Sequence, residues 1–274
     1  MKTRLSIIIG IIIIAALVTC AISSLKEKNR FLNKQTSPKS ILSKPEILNQ
    51  AVQQEASGDY LQARSLYEKL INDFPNSPQV GDWQEKVWDF NIKLLFSSVI
   101  TEGSILYEIK SGDTLDKIAK KFNTTIYLLK KSNALSNDKI LAGGTLKVWT
   151  RPFNIVVDKS QNILMLKSND KIIKTYIVAT GINNSTPVGR FTIIIKLINP
   201  HWFKGGTVVP PESPDNILGS RWMGFDLDDY GIHGTNDAKS LGQQITQGCV
   251  RMSNSDVEEL FAIVPTGTEV TIVD

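Results

Sequence analysis

Residues 233–254 read "HGTNDAKSLGQQITQGCVRMSN", and this segment constrains fold and function more than any other part of the chain. It contains Cys249, the only cysteine outside an apolar N-terminal stretch, with His233 upstream and Arg251 two residues later. A thiol that follows a glycine and lies near a histidine and a cation has the components of an activated nucleophile. The alternative interpretation is a small buried apolar side chain, which is the usual environment of a free cysteine.

The chemistry of this segment predicts a role for each polar group. His233 could accept the thiol proton to leave a thiolate–imidazolium pair, and a backbone carbonyl could orient its ring. Arg251 could favour the thiolate or bind a substrate carboxylate through two parallel hydrogen bonds. Gly248 permits a tight turn that exposes its own amide and that of Cys249 as candidate oxyanion donors. Thr246 places a hydroxyl nearby for substrate or backbone.

The remaining candidate ligands argue against a metal site. The chain has only two histidines, and the other one, His201, lies in "NPHWF", which predicts a loop at the rim of a cleft together with Trp202. One cysteine and one histidine fall short of the usual zinc ligand set. We therefore expect no metal and no cofactor.

Length and charge limit the classes of protein to which the chain can belong. The chain has 274 residues, enough for two compact domains, and a net charge of +4. This mild charge suits an anionic surface such as a cell wall or membrane, and it is too diffuse to predict nucleic-acid binding.

The N-terminus predicts export. Residues 5–25 carry no charged side chain and would span about 31 Å as a helix, enough to cross a bilayer core. We expect residues 1–25 to be a membrane anchor, with a cleaved signal peptide or a lipoprotein modified at Cys20 as alternatives. Residues 26–45, rich in Ser, Lys, Asn and Pro, predict a flexible linker.

Residues 46–98 predict a helical segment. Gly58-Asp59 and Pro75 separate its helices, and the third, about 80–98, carries an apolar stripe of Trp83, Val87, Phe90 and Leu94. The segment resembles one tetratricopeptide-like hairpin through Gly58, Tyr60, Ala63, Tyr67 and Pro75. One such unit buries its apolar face poorly, so it packs on a neighbour or binds a protein partner.

Residues 105–150 predict a compact module of strand, two helices and strand. We expect Asp113 to cap the first helix, Thr124 or Thr125 to begin the second, and Asn133 to end it in a left-handed conformation. The module resembles a LysM domain through Tyr107, "GDTL" at 112–115, Ile118-Ala119, Asn133, Ile140, Gly144 and Leu146. That resemblance implies a βααβ fold that binds N-acetylglucosamine polymers, here peptidoglycan.

Residues 152–274 predict a mainly-β domain. Short β-rich runs are separated by turn residues, which is typical of a β-sandwich or open barrel. One helix is expected near the C-terminus, with Ser255 and Glu258 as its capping box.

The motifs of this domain resemble the catalytic domain of the L,D-transpeptidases (YkuD type). They are "TPVGRFTI", "NPHWF", "PDNILGSRWMGF", "GIHGTN" and "TQGCVRMSN", in the family's order. The resemblance implies that Cys249 is the nucleophile and His233 its base. The roles it implies for the surrounding residues are an orienting or oxyanion role for Gly234 and Gly248, and substrate binding for Thr246, Arg251, Trp222 and Trp202. Gln247 departs from the pattern, since many members carry a second histidine there.

The resemblance implies a cell-envelope enzyme whose catalytic domain lies outside the cytoplasm. Its substrates would be peptidoglycan stem peptides on glycan strands, cross-linked 3→3 through a cysteinyl thioester, with the LysM domain holding the glycan. Three alternatives stay open: an L,D-carboxypeptidase or a protein-to-peptidoglycan ligase using the same acyl-enzyme, a non-catalytic wall-binding protein, and a scaffold that recruits partners through its helices.

Overall fold

The computed structural model describes residues 42–274. Residues 48–274 form one compact unit, and the first described helix begins just before it. The predicted anchor and most of the predicted linker lie outside the described residues. Within the described range, none of the helices combines the length and apolar character that a membrane crossing requires.

Three helices open the described part of the chain: α1 (Lys44–Ser57), α2 (Tyr60–Asp73) and α3 (Val80–Leu95). Asp59 accepts a hydrogen bond from the backbone of Gln62 at 3.0 Å and so begins α2 directly after the Gly58 break. The predicted stripe of α3 is buried, although the helix ends at Leu95 rather than near Ser98.

The middle module comprises β1 (Ser104–Glu108), α4 (Leu115–Phe122), α5 (Ile126–Ser132) and β2 (Thr145–Trp149), with β1 and β2 antiparallel. The predicted βααβ order is confirmed, and Thr125 caps α5. Two details were wrong. Thr114 caps α4, because Asp113 instead accepts from the Tyr107 hydroxyl at 2.8 Å and the Lys110 amide at 2.9 Å.

Asn133 is not the left-handed residue after α5. The positive φ of 50° falls on Ala134, while the Asn133 side chain joins α5 to β2 by bonding both backbone groups of Lys147, at 2.7 and 2.9 Å. The Asn133 side chain therefore links two elements of the module, and the residue does not end the helix in a left-handed conformation.

The C-terminal domain is mainly β, as predicted. Its elements are β3 (Phe153–Asp158), β4 (Ile163–Ser168), β5 (Lys171–Ile177), β6 (Thr180–Gly181), β7 (Gly189–Ile198), β8 (Trp202–Lys204), β9 (Thr207–Val209), β10 (Arg221–Phe225), β11 (Gly231–His233), β12 (Gln244–Thr246), β13 (Val250–Arg251), α6 (Asn254–Ile263) and β14 (Glu269–Val273). Eight strands form one sheet in the order β13-β11-β10-β7-β14-β3-β4-β5. The pairs β3–β14 and β11–β13 are parallel, and the other pairs in this sheet are antiparallel.

The sheet curls so that its two ends meet near the segment quoted above. Ala179, just beyond β5, forms an antiparallel bridge with Arg251 on β13. The predicted capping box of α6 was wrong by two residues: Ser253 caps this helix by accepting from the Asp256 amide at 3.1 Å. The end of β13 therefore leads directly into α6.

The helices and the middle module share a core with the C-terminal domain. Ile92 and Leu95 of α3 and Leu128 of α5 belong to the same apolar cluster as the sheet. Polar contacts cross the same boundary: Asn91 donates to the Ile173 carbonyl at 2.9 Å, and Thr125 donates to the Ala262 carbonyl. The third helix thus buries its apolar face on a neighbour in the same chain.

Candidate active site

Strand pairing places three predicted site residues and one neighbouring residue in a single row across the sheet. Leu197 on β7 faces Trp222 on β10, Trp222 faces His233 on β11, and His233 faces Arg251 on β13. Residues that face one another across strands point to the same side of a sheet. Cys249 immediately precedes β13, at the end of this row.

The ring of His233 is fixed in one tautomer. Its Nδ1 lies 2.6 Å from the carbonyl oxygen of Gly234, and a carbonyl can only accept, so Nδ1 carries the proton. Nε2 is then left as a proton acceptor. The side chain is 2% exposed, and burial lowers the pKa of His233 to about 4, with the Gly234 bond acting in the opposite direction and the Arg251 charge lowering it further.

The thiol of Cys249 is half-buried and protonated at neutral pH. Sγ donates to the carbonyl oxygen of Asp229 at 3.3 Å. Burial raises the pKa of Cys249 to about 11; the Asp229 carboxylate also raises it, whereas a hydrogen bond from the Gly231 backbone and the charge of Arg251 lower it. Burial therefore favours the neutral form of both groups, and the thiolate–imidazolium pair stays a prediction.

A tight turn presents the thiol. The hydroxyl of Thr246 donates to the Cys249 carbonyl at 2.7 Å and accepts from the Gly248 amide at 3.2 Å. Gly248 has φ +134°, and a Cβ there would lie 2.6 Å from the ring of Tyr230. Glycine is thus required, as expected. The hydroxyl of Thr246 and the amide of Gly248 are engaged with each other, so substrate-binding and oxyanion roles for them stay predictions.

Trp222 lies against His233. The two rings stack with centroids 6.0 Å apart and planes 24° apart. The indole lies over two glycines: a Cβ on Gly224 would come within 2.8 Å of its Nε1, and one on Gly231 within 3.0 Å of its Cζ2. Trp222 therefore touches the His233 ring directly, which the sequence did not indicate.

Arg251, the last residue of this row, is half-buried. One guanidinium nitrogen donates to the Ser240 hydroxyl at 3.1 Å, while Nε is buried without a hydrogen-bond partner among the described residues. Burial also lowers the pKa of Arg251. Because Nε is buried, its lack of a partner does not bear on substrate binding, and the contact of Arg251 with a substrate carboxylate stays a prediction.

Asn254 was missed by the sequence analysis, although it ends the quoted segment. Its Oδ1 accepts from the backbone of Ser220 at 3.0 Å and of Thr235 at 3.2 Å. A Cβ on Gly234 would come within 2.2 Å of this oxygen. Asn254 therefore fixes the backbone immediately after His233, and the only available signal was an amide at the first turn of a helix.

The predicted rim residues lie earlier in the chain and outside the main sheet. His201 is exposed just before β8, and Trp202 lies on β8, in the two-stranded β8–β9 hairpin outside the main sheet. Within residues 42–274, no group of three or more His, Cys, Asp or Glu side chains is arranged to hold a metal ion.

Two known domain families match parts of this chain. Residues 152–272 match the L,D-transpeptidase catalytic domain, YkuD, and residues 107–149 match the LysM domain. The putative L,D-transpeptidase YkuD of Bacillus subtilis is 37% identical over 175 residues, which cover 61% of this chain and 98% of that protein. The chain belongs to the L,D-transpeptidase family.

Other relatives match shorter parts of the chain. The putative L,D-transpeptidase YqjB of Bacillus subtilis is 41% identical over 44% of this chain and 70% of its own length. The cell wall-binding protein YocH of the same organism is 46% identical over 27% of this chain and 26% of its own length. The chain thus carries an L,D-transpeptidase catalytic domain and a LysM domain, and the family supports a cysteine-dependent acyltransferase.

Proposed function

We propose that this protein is a peptidoglycan L,D-transpeptidase that forms 3→3 cross-links, with Cys249 as nucleophile and His233 as base. One observation carries the proposal: the hydrogen bond from His233 Nδ1 to the Gly234 carbonyl leaves Nε2 to accept a proton. Family membership and the half-exposed thiol support it.

Acylation begins from two neutral groups. Sγ attacks the carbonyl carbon of the third residue of a tetrapeptide stem while its proton passes to His233 Nε2. The carbon–nitrogen bond to the terminal D-alanine then breaks, and the imidazolium gives its proton to the leaving amine. The products are a thioester on Cys249, free D-alanine and a neutral His233.

Deacylation follows the same path in reverse. The amine of a second stem attacks the thioester carbonyl and gives a proton to His233, which returns it to the departing sulfur. A new amide bond joins the two stems, and the enzyme regains its starting protonation. The Cys249 amide is a candidate donor to the oxyanion, and Arg251 is a candidate contact for a substrate carboxylate.

Hydrolysis of the same thioester is a second candidate. Cys249 is only half-buried, so water has access to an acyl group on its sulfur. An L,D-carboxypeptidase would result if water outcompeted the acceptor amine. Titrating the acceptor at fixed donor measures this partition, because cross-linked product rises at the expense of free tripeptide only in a transpeptidase.

The location proposed for the enzyme is the cell envelope. LysM and catalytic domains both imply a peptidoglycan substrate. The membrane anchor over residues 5–25 and a protein partner for the helical segment remain proposals. Against a partner on the predicted stripe of α3, the stripe is already buried within the chain, and its Phe90 packs against Tyr60 and Tyr67 of α2.

The test is muropeptide analysis with purified protein. Wild-type enzyme incubated with tetrapeptide-bearing peptidoglycan yields 3→3 dimers, and Cys249→Ala yields none. Persistence of 3→3 dimers with the variant would sink the assignment of Cys249.

A further inference from the structure

The face of the sheet that carries Cys249 and His233 extends beyond both residues to β7. In the parallel register of β11 and β13, Gly231 lies level with Cys249. Gly231 faces Gly224 on β10, and Gly224 faces Ile195 on β7. A second row, from Cys249 through the two glycines to Ile195, therefore runs beside the row that contains His233.

Three side chains form a continuous surface over this second row. The indole of Trp222 occupies the space above the two glycines. The side chain of Ile195 leans over Gly224, because a Cβ on Gly224 would lie 2.6 Å from its Cγ2. Leu197, two residues after Ile195, faces Trp222 directly. We call Ile195, Leu197 and Trp222 the β7–β10 surface; it lies on the same side of the sheet as the thiol.

The β7–β10 surface is open to a ligand. Ile195 is 44% exposed and Leu197 is 41% exposed, although both are large and apolar. Nε1 of Trp222 forms no hydrogen bond within residues 42–274 and, unlike Nε1 of Trp149, is not one of the buried unpaired atoms. The surface therefore combines two exposed apolar side chains with an accessible hydrogen-bond donor.

The thiol is enclosed on the side away from β7. Beyond β13, Ala179 forms a bridge with Arg251. The carbonyl oxygen of Ser185 would lie 3.3 Å from a Cβ on Gly248, the residue before the thiol. Among the described residues, an extended substrate segment that is bound at Cys249 and crosses the strands therefore has its open path toward β7.

Distances decide which part of the substrate reaches the β7–β10 surface. Gly224, over which Ile195 leans, is two strands from Cys249, about 10 Å at about 4.8 Å per strand. The leaving D-alanine is a single residue, about 3.5 Å long. The three residues on the acyl side of the scissile bond span about 10 Å when extended. The acyl part of the donor stem matches this distance, and the leaving group is too short.

We propose that Ile195 and Leu197 bind the amino-terminal residues of the acyl-donor stem, beside the indole N–H of Trp222, which can donate to a peptide carbonyl of the stem. The proposal rests on the proposed function for the identity of the substrate. Because the acyl group stays on Cys249 until the acceptor arrives, this surface would hold the donor stem through both half-reactions.

The first test compares the tetrapeptide stem with a shortened donor that consists of its acetylated third residue and D-alanine. Leu197→Ser and Ile195→Ser should each lower kcat/KM for acylation by the tetrapeptide about tenfold, through a higher KM, because they remove apolar contacts far from the scissile bond. Acylation by the shortened donor should stay unchanged. Wild-type values with the tetrapeptide would overturn the proposal. So would an equal loss with both donors, because the side chains would then act on the catalytic groups.

A neighbouring residue on the opposite face is the matched control. Ile198 is 48% exposed and follows Leu197, but it faces Arg221, whose guanidinium lies over the Phe261 ring of α6. Ile198→Ser should be acylated like wild type by both donors. Leu197→Met keeps an apolar contact and should retain most of the kcat/KM. A loss in Ile198→Ser equal to that in Leu197→Ser would overturn the assignment to one face of β7.

Binding without chemistry separates this proposal from the proposed function. Cys249→Ala forms no thioester, and adding Leu197→Ser to it should raise the Kd of the tetrapeptide about tenfold in isothermal titration calorimetry. Absence of acylation in wild type would overturn the proposed function, whereas this comparison of Kd values would still decide the binding surface. Equal Kd values would overturn the proposal. An effect confined to resolution of the thioester by a second stem would assign the surface to the acceptor and would also overturn it.

Discussion

The active site and the domain junction both bury ionisable side chains against backbone carbonyls, yet they use them differently. At the junction, Lys147 is 2% exposed and its ammonium donates to the carbonyls of Leu94 and Ser97, at 2.6 and 2.8 Å, just where α3 ends. Those contacts join the LysM domain to α3. In the active site, His233 bonds a carbonyl through Nδ1 and keeps Nε2 as a proton acceptor, while the Cys249 thiol donates to the Asp229 carbonyl.

The difference separates stability from activity. Carbonyls at a helix end are unpaired acceptors, so a lysine that satisfies them stabilises the junction, even though burial lowers the pKa of Lys147 to about 8. In the active site, burial of Cys249 and His233 removes charge until the substrate arrives. Substitutions at the junction should therefore lower stability and leave acylation almost unchanged. Substitutions in the active site should slow acylation and leave stability almost unchanged.

Replacing the base should have the largest effect. His233→Gln removes the proton acceptor at Nε2, and we expect acylation by a tetrapeptide stem to fall about 10³-fold, while the melting temperature changes little. Rapid-quench mass spectrometry measures the acylation rate. Alkylation of Cys249 at pH 10, where hydroxide removes the proton, is the control and should remain. Acylation within threefold of wild type would contradict the role of His233.

The thiol itself should be unreactive at rest. Because burial raises the pKa of Cys249 to about 11, iodoacetamide should label it about 100-fold more slowly at pH 7 than a free cysteine. The rate should keep rising through pH 10, whereas that of a free cysteine levels off above about pH 8.5. Peptide mapping separates Cys249 from Cys20. Fast labelling that is constant from pH 6 to 9 would indicate a preformed thiolate.

Displacing Trp222, which stacks on His233, should have a smaller effect on acylation. Gly224→Ala places a Cβ within 2.6 Å of Ile195 and 2.8 Å of Trp222, so the indole must shift from the His233 ring. We expect acylation to slow by about 10- to 100-fold. Gly81→Ala on α3, where a Cβ meets nothing within 4 Å, is the matched control and should leave acylation unchanged.

The smallest effect on activity is expected at the junction. Lys147→Met leaves the Ser97 carbonyl without this donor, whereas the Leu94 carbonyl still accepts from the Ser97 hydroxyl at 3.0 Å, and we expect the free energy of unfolding to fall by about 2 kcal/mol. Acylation by a soluble stem should stay within threefold of wild type. Lys139→Met, on an exposed part of the same domain, is the control for removal of a charge. Chemical denaturation measures stability. A Lys147→Met variant that is as stable as wild type but is acylated slowly would contradict this separation of stability from activity.

The sequence predicted the parts of the molecule that depend on local signals. Gly58-Asp59 marked a helix boundary, Thr125 a cap, and Gly248 the turn before the thiol, because turn and cap chemistry acts over a few residues. The errors at Asp113 and Asn133 have one cause: another group of the fold engages the side chain, and only the fold decides which partner is nearer. Ser255 was wrong because α6 begins two residues earlier, directly after β13.

The non-local part of the site could not be read from the sequence. Trp222, His233 and Arg251 meet because of strand register, which depends on pairing between distant segments. Asn254 and Asp229 act through single atoms, an amide oxygen and a backbone carbonyl, that no motif spacing identifies. The sequence also gave no measure of the burial of Cys249, which raises its pKa and outweighs the nearby cation.

Intact-mass spectrometry of the whole protein after incubation with a tetrapeptide stem shows directly whether Cys249 forms an acyl-enzyme. We expect a mass increase equal to the stem minus its terminal D-alanine, mapped to Cys249 and absent from Cys249→Ala. An unmodified wild-type protein, or an adduct that persists in Cys249→Ala, would contradict it.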